Sequence, residues 1–334
     1  MWGHVMAYRF KLDEKIRDGF HRIARDQIER AGADLSGPSE LEHAVHETRK
    51  CLKRLRALLR LMRPGLSEKS FERENAALRD IAALLSETRD NHVLLLSITN
   101  LGAQKPDTPL MNLKRLAVAQ NGVHPAEEDP GRTAAALAGL RATQTRFDKL
   151  KIEPANFSTL RHGMERTYGH ARRAMNAAYK TGECEAFHEL RKYIQQHWRH
   201  AQLLERAWPE LMQAHAAAAR ELSQILGDDH DLAVLAGFLE RAPKGEIGKM
   251  EARHIRKSIR ERQGALRELA RPRLQRLFAD KPDEMGRRLE SWWKASKRLK
   301  RETGPDPVPV ASTSAAAPAP TPIAATEPRA GRAA

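Results

Sequence analysis

The sequence is poor in cysteine, in aromatic residues and in long apolar runs. Its two cysteines, Cys51 and Cys184, have no CxxC or other metal-type spacing, so we interpret them as small residues of a protein from a reducing compartment. Aromatic residues make up 5% of the chain, which disfavours the stacking platforms of many single-strand nucleic-acid binders. No stretch approaches the roughly 18 apolar residues of a membrane span. The N-terminal residues lack the apolar core of a signal peptide. We therefore expect a cytoplasmic protein without membrane contact.

What the sequence has in excess is positive charge. Lys and Arg number 58 against 43 Asp and Glu in 334 residues, giving a formal net charge of +15. Such a charge favours anionic partners and says nothing about the fold. DNA, ribosomes and inorganic polyanions all satisfy it, so the placement of the charges has to distinguish them.

Apolar residues recur at three- and four-residue intervals, and β-branched alternation is almost absent. This pattern predicts an all-α fold. Proline and glycine punctuation helps to place the ends of the helices. The predicted helices are 8–31, 39–63, 67–99, 131–151, 156–181, 184–207, 209–240, 246–278 and 284–301.

The composition divides the chain into one helical domain, residues 1–302, and a tail. Within the domain, the Pro- and Gly-containing stretch 102–131 predicts a loop-rich connector between a first half at about 8–101 and a second at about 132–301. Residues 303–334 are rich in Pro and Ala and have too few large apolar side chains to pack, which predicts a disordered tail.

An internal repeat supports the division into two halves. The sequence HETRK at 46–50 reappears as HELRK at 188–192, a displacement of 142 residues. Further along, LSETRD with Val93-Leu94 is echoed by LGDDHD with Val234-Leu235, a displacement of 141. Two matches in the same order at nearly one offset indicate a duplicated unit.

The first copy of the repeat places its charges on one helix face. His46, Arg49, Lys53, Arg56 and Arg60 are spaced by three or four residues, which aligns them along a single stripe of an α-helix. Like charges stacked in this way repel one another, by about 0.2–0.5 kcal/mol per pair, unless an anion relieves them. The stripe therefore indicates an anion-binding surface rather than an ordinary solvated face.

The second copy has fewer cations. His188, Arg191 and Lys192 match the first copy, whereas Gln195, Gln196 and Trp198 stand where it has Lys53, Arg54 and Arg56. Arg199 continues a basic line from Lys192 at a spacing of seven. We expect the second half to contribute fewer contacts.

The string HxxRKxxKRxR at 46–56, the repeated HxxRK at 188–192 and the segment GMERTYGHARRA at 163–174 resemble the CHAD family, the conserved-histidine α-helical domains. The resemblance implies two four-helix bundles related by a pseudo-twofold axis, with a basic groove or cavity between them that binds inorganic polyphosphate. It also implies a non-catalytic protein, associated with polyphosphate granules and open to granule proteins as partners. This chain looks like a stand-alone member, without the triphosphate-tunnel CYTH domain to which some members are fused.

On this resemblance, polyphosphate is expected to bind thirteen residues: Arg22, His46, Arg49, Lys50, Lys53, Arg56, Arg60, Arg166, Arg173, His188, Arg191, Lys192 and Arg199. Arginine supplies forked donors and lysine a mobile point charge. A bound anion promotes protonation of the histidines, since a nearby negative charge raises a histidine pKa.

Three alternatives compete with polyphosphate binding. A metal or other cofactor is not expected: Lys50 and Lys192 occupy the positions where an HExxH zinc motif has its second histidine, and we interpret Asp228–Asp231 as a helix-turn boundary. Phosphatase or phosphotransferase activity is disfavoured because no P-loop or nucleophile motif is present. A nucleic-acid-binding or ribosome-associated helical protein is the strongest rival, and only competition between ligands separates it from a polyphosphate binder.

Overall fold

The structure is a computed structural model that describes residues 8–85, 90–123 and 130–303. Within these ranges it contains eleven α-helices and no strand, so the all-α prediction is confirmed. The predicted tail falls almost wholly outside the described residues. The helices are α1 (Ile16–Ser36), α2 (Leu41–Leu61), α3 (Glu68–Leu84), α4 (Asp90–Gln104), α5 (Met111–Val123), α6 (Pro130–Asp148), α7 (Phe157–Thr181), α8 (Cys184–Leu203), α9 (Pro209–Glu240), α10 (Lys249–Leu277) and α11 (Pro282–Thr303).

Several helix ends follow from local residue chemistry. Gly182 ends α7 in the left-handed conformation, with φ of 73°, and its N–H donates to the carbonyl of Ala178. Pro209 occupies the first turn of α9, where a missing N–H costs nothing. None of the described helices is long and apolar enough to cross a membrane.

The structure differs from the predicted helix pattern in three places. Residues 8–15 are not helical, because the backbone N–H of buried Phe10 donates to the carbonyl of Leu203, 2.9 Å away, and ties this segment to the second half. The predicted helix 67–99 is divided into α3 and α4, with residues 86–89 outside the described ranges. The connector contains a helix of its own, α5, because its prolines lie on either side of these 13 residues and none lies within them.

Helices α1, α2, α3 and α6 pack in a closed ring in which α1 contacts α2, α2 contacts α3, α3 contacts α6 and α6 contacts α1. Helix α6, which the sequence assigned to the start of the second half, therefore packs with the first half. Phe20 of α1 stacks on Phe147 of α6 with ring centroids 5.6 Å apart. In the second half α7, α8, α9 and α10 pack in chain order, and α11 lies on α7. The halves meet where α2 packs on α7 and α8.

The element order of the first half recurs in the second. Helix α2 and helix α8 are each followed by a short 3₁₀ helix, Arg63–Gly65 and Glu205–Ala207, and then by α3 and α9 respectively. The two 3₁₀ helices begin 142 residues apart, which is the displacement of the HxxRK motif. The duplicated sequence thus corresponds to a duplicated series of helices.

Helix α4 leaves the first half and packs on α9 and α10 of the second. The following α5 region is attached to α10 by side-chain contacts. Thr108 donates to the hydroxyl of Ser258 at 2.8 Å, and Lys105 pairs with Glu261 at 2.7 Å. This crossing places α4 opposite the motif-bearing face of α8.

Candidate functional site

A cleft of about 830 Å³ lies among α2, α4, α8 and α9. From here on "the cleft" means this space. Both copies of the HxxRK motif reach it, one from each half of the chain. Its polar lining consists of Arg49, Lys53, His188, Arg191, Lys192, Gln195, His230, Asp231 and Arg241, and its apolar lining of Val93, Leu94, Val234 and Phe238.

Arg49 is fixed at the cleft wall by the end of a neighbouring helix. Its guanidinium donates to the carbonyl oxygens of Ala82, at 3.0 Å, and Leu85, at 3.2 Å. The last carbonyls of α3 have no partner within their own helix, so a cation there satisfies them and complements the helix dipole. An arginine has five N–H donors, so capping α3 orients the group without using its whole donor capacity.

Arg191, the matching residue of the second copy, lies close against α9. A Cβ atom added to Gly227 would come within 3.0 Å of a terminal nitrogen of Arg191 and 3.4 Å of its guanidinium carbon. The glycine therefore allows the guanidinium to approach the α9 backbone. Each motif arginine is thus positioned by a helix of its own half, α3 for Arg49 and α9 for Arg191.

The motif lysines make the same local ion pair in both copies. Lys50 lies 2.8 Å from Glu47, and Lys192 pairs with Glu189, in each case three residues earlier on the same helix. Exposed pairs of this kind contribute about 0–1 kcal/mol. A ligand with more negative charge can therefore draw either lysine away from its glutamate.

Two histidines stack in the cleft. The rings of His188 and His230 have centroids 4.1 Å apart and planes inclined by 27°. Burial, followed by Lys192, holds the pKa of His188 below its usual range, and burial, followed by His188, does the same for His230. Both imidazoles are therefore neutral at pH 7. His46, the counterpart of His188 in the first copy, is exposed one turn before Arg49 and does not line the cleft.

The α2 stripe continues beyond the cleft through Arg56 and Arg60, which are half-buried. Arg56 donates to the amide oxygen of Asn75 at 3.3 Å, and Arg60 donates to the carbonyl of Arg56 at 3.4 Å. Burial, with the charge of Arg56, lowers the pKa of Arg60 to about 10, so it remains charged at neutral pH. Neither arginine pairs with a carboxylate of the described residues.

Arg166 and Arg173 lie exposed on α7, beside the far end of the stripe. Burial, then the charges of Arg173 and Arg166, lower the pKa of His170 between them. The His170 ring stacks on Tyr193 of α8 at 5.1 Å. These arginines thus form a second basic area that adjoins α8 outside the cleft.

Two of the thirteen residues predicted to bind polyphosphate, Arg22 and Arg199, contact partners inside the protein. Arg22 donates to both carboxylate oxygens of Glu14, at 2.9 and 2.7 Å, and to the carbonyl of Arg9. Arg199 is 8% exposed and donates to the carbonyl of Gln195 at 2.8 Å. Burial lowers the pKa of Arg199 to about 10. Neither residue lines the cleft, so their predicted role as anion ligands is not supported by their positions.

The interpretation of Asp228–Asp231 as a helix-turn boundary was wrong, because these residues lie inside the 32-residue helix α9. Asp229 is buried against Arg267, with which it pairs at 2.7 Å. His230 and Asp231 face the cleft instead. In the described ranges no group of three or more His, Cys, Asp or Glu side chains is placed to hold a metal ion.

The sequence-based prediction missed four polar residues of the cleft, Gln195, His230, Asp231 and Arg241. His230 belongs to the segment that echoes LSETRD, so the repeat itself carried a signal for it. Arg241 follows the end of α9 and has no counterpart in the repeated strings, so only the packing of α9 reveals it.

Comparison with known proteins identifies the fold. The sequence pattern of the CHAD domain matches residues 22–240, from α1 to the end of α9, and includes both motifs. The chain belongs to the CHAD family. Among solved structures, the crystal structure of the CHAD domain from the plant Ricinus communis is similar to this CHAD protein, with a TM-score of 0.49 and 17% sequence identity over 82% of this chain and 97% of that one. A comparison with curated proteins found no match.

Proposed function

We propose that this CHAD protein binds inorganic polyphosphate in the cleft, without cleaving it. The observation that carries the proposal is the convergence of both HxxRK motifs on one space. Arg49 and Lys53 reach it from α2, and Arg191 and Lys192 from α8. Five Lys and Arg side chains line the cleft against one carboxylate, that of Asp231, so an anion is the complementary ligand. The family resemblance makes polyphosphate the leading anion.

The dimensions of the cleft favour a linear chain without bases. A space of about 830 Å³ between four helices accommodates an extended single chain. Single-stranded nucleic acid usually binds by stacking its bases on aromatic rings. Phe238, at the cleft wall, is 8% exposed and offers little ring surface for stacking.

Beyond the cleft, Arg56 and Arg60 extend the positive surface along α2, and Arg166 and Arg173 extend it onto α7. We propose that longer chains follow these residues out of the cleft, held between two helical bundles that correspond to the two halves of the repeat. In the cell such binding would direct the protein to polyphosphate granules or help to organise them, with granule proteins as further partners.

Binding without catalysis is supported by the composition of the cleft wall. Enzymes that transfer phosphoryl groups commonly hold paired metal ions on several carboxylates. The described part of the cleft offers Asp231 alone for that purpose. Its cations suit charge-assisted hydrogen bonds to a chain that remains intact.

Competition calorimetry tests the proposal. Long-chain polyphosphate, duplex DNA and single-stranded RNA would be titrated separately and in competition at near-physiological salt, because salt weakens all three interactions. We expect polyphosphate to bind most tightly and to displace both nucleic acids. Equal or tighter binding of DNA or RNA would favour the nucleic-acid-binding or ribosome-associated alternative.

A pair of charge-reversal variants locates the site. Lys53→Glu combined with Lys192→Glu removes one cation from each half of the cleft, and we expect affinity for polyphosphate to fall at least tenfold, since each charge-assisted hydrogen bond contributes about 1.5–3 kcal/mol. Arg256→Glu with Arg260→Glu changes the net charge equally at exposed positions of α10, outside the cleft. Equal losses in both double variants would show that net charge, and not the cleft, determines binding.

A further inference from the structure

We propose that His230 is a second histidine of the binding site, and that the stacked His188–His230 pair takes up a proton when a phosphate chain enters the cleft. The inference rests on the proposed function, because it concerns the ligand of the same site. It adds a residue that the motif does not contain and a property, proton-linked binding, that the cleft's permanent cations do not provide.

The geometry of the pair supports joint action. Both rings line the cleft, and their centroids are 4.1 Å apart. Nδ1 of His188 is buried and has no hydrogen-bond partner among the described residues. A neutral imidazole has one donor and one acceptor nitrogen, whereas an imidazolium donates from both. Protonation therefore adds a positive charge and a second donor to a ring that has one donor when neutral, and both changes favour binding of phosphate oxygens.

Burial and the charges around the pair explain why the proton is absent before the ligand arrives. From α8 the pair faces Arg191 and Lys192, which oppose protonation, and Glu185 and Glu189, which favour it. From α9 it faces Asp231, which favours protonation of His230. Among the residues whose side chains are described, the charged groups that complete the cleft lining are Arg49 and Lys53 of α2, with Arg241 beyond the end of α9. Burial is the largest cause of the lowered pKa of both rings and the opposing charges add to it, so the rings are neutral in the free protein.

A phosphate chain reverses this balance. Each phosphate brings a negative charge close to the rings and neutralises the surrounding cations, and both effects raise a histidine pKa. Two imidazolium rings at van der Waals separation repel each other, so the pair titrates as a coupled unit that accepts one proton more readily than two. We therefore expect an uptake of about one proton per cleft near pH 7, and an affinity that rises as pH falls.

Calorimetry in two buffers measures the proton directly. Long-chain polyphosphate would be titrated into the full chain at pH 7 in Tris and in HEPES, at equal ionic strength. The difference in binding enthalpy divided by the difference in buffer ionisation enthalpy gives the protons taken up per protein. Long chains are required because terminal phosphates titrate near pH 6 and would otherwise contribute. We also expect the affinity to rise by up to about tenfold per pH unit between pH 8 and pH 6.

Substitutions identify the residues that take up the proton. His188→Gln with His230→Gln keeps hydrogen-bonding side chains but cannot titrate, so we expect proton uptake to fall to near zero and the pH dependence to flatten. His254→Gln, at an exposed position of α10 outside the cleft, should leave both unchanged.

Different outcomes contradict the histidine inference and the proposed function. Tight polyphosphate binding by the unsubstituted protein without proton uptake would overturn the histidine inference and leave the function standing. Unchanged uptake in the double variant would also overturn it and point to His46. A lack of polyphosphate binding at any pH would overturn the function itself.

Discussion

At the scale of single residues, Arg267 of α10 contacts three other helical segments of the second half. Its guanidinium donates to both carboxylate oxygens of Asp229, at 2.7 and 3.3 Å, and to the carbonyl of Gly182 at 2.8 Å. It also lies over the ring of Phe187, 4.1 Å from the centroid. The side chains of Arg267 and Asp229 are 16% and 2% exposed. One arginine thus joins α10, α9, the end of α7 and α8.

We predict that Arg267→Ala lowers the free energy of unfolding by about 3–5 kcal/mol, because it leaves the buried carboxylate of Asp229 without a partner. Arg273→Ala provides the control on the same helix. Arg273 pairs with Glu221 at 3.4 Å, with side chains 38% and 55% exposed, so its loss should cost under about 1 kcal/mol. Urea unfolding followed by circular dichroism measures both, and equal effects would contradict the assigned role of burial.

The sequence could identify the cleft's charged residues only where they belong to a local pattern. The stripe containing Arg49 and Lys53 follows from helical spacing, and His188 and Arg191 follow from the repeat. Arg22 and Arg199 have the same residue type and similar spacing, yet their side chains are held by partners inside the protein. For Arg22 the partner, Glu14, lies in the segment wrongly predicted as helix, so the ion pair was not visible in advance.

At the scale of elements, the crossing of α7 over the end of α2 depends on Gly163. A Cβ atom there would lie 1.9 Å from the carbonyl oxygen of Leu61 and 2.7 Å from its carbon. No side-chain rotation relieves a clash with backbone, so any larger residue forces the two helices apart. Since α2 carries the basic stripe and α7 packs on α8, this crossing fixes how the two halves meet.

We predict that Gly163→Ala destabilises the protein by about 1–3 kcal/mol or more, as overpacking does, although alanine is intrinsically the better helix former. Gly264→Ala in α10 is the matched control: Gly264 is exposed, and a Cβ there meets nothing within 4 Å. It should stabilise the protein by about 0.5–1 kcal/mol. Thermal unfolding of the two variants should therefore shift in opposite directions, and a shift of the same sign would refute the close crossing.

Helix existence was predictable from periodicity, and several helix ends from glycine and proline. What the sequence could not show is where each helix packs. Continuous apolar periodicity predicted a single helix over 67–99. The chain is divided into α3 and α4 because α4 packs on α9 and α10, which is a long-range contact that local periodicity does not encode. That crossing also supplies Val93 and Leu94 to the cleft, so the cleft itself depends on long-range packing that local patterns do not encode.

At the scale of the whole molecule, buried histidines should make the fold sensitive to acid. His197, His200 and His215 lie where α7, α8, α9 and α2 meet, and Nε2 of His200 is 2.9 Å from the carbonyl of Ala57. His197 and His215 are joined by a 2.6 Å contact between their Nε2 atoms, which requires one ring to donate and the other to accept. Burial is the main cause of all three shifts. It lowers the pKa of His200 to about 3, that of His215 to about 4 and that of His197 well below its usual range.

The sign of the effect follows from proton linkage. In the unfolded chain these histidines titrate near pH 6.5, whereas in the folded protein they stay neutral to much lower pH. Above pH 6.5 both states are neutral and stability does not depend on these groups. As the pH falls below 6.5, these histidines bind protons in the unfolded state but not in the folded state. Stability therefore declines until the pH reaches the pKa values of the histidines in the folded protein. A buried carboxylate with a raised pKa, such as Asp229, has the opposite effect: it binds a proton more readily in the folded state, so it increases stability as the pH falls. This effect begins at a lower pH than the decline caused by the histidines.

We therefore predict that the free energy of unfolding falls by about 2 kcal/mol per buried histidine between pH 7 and pH 5, at 1.36 kcal/mol per pH unit. Urea unfolding at half-unit intervals across this range measures the slope. His215→Gln keeps a hydrogen-bonding group toward His197 but does not titrate. The number of protons bound on unfolding should therefore fall by about one, and the slope of the free energy of unfolding against pH should fall in proportion. A stability that is level from pH 7 to pH 5, or a slope unchanged in His215→Gln, would show that these rings accept protons in the folded state.

The same series with bound polyphosphate distinguishes the effect of the cleft histidines from that of the buried histidines. We expect the stabilisation by the ligand to increase as the pH falls, because His188 and His230 take up a proton in the complex. The decline caused by His197, His200 and His215 should persist.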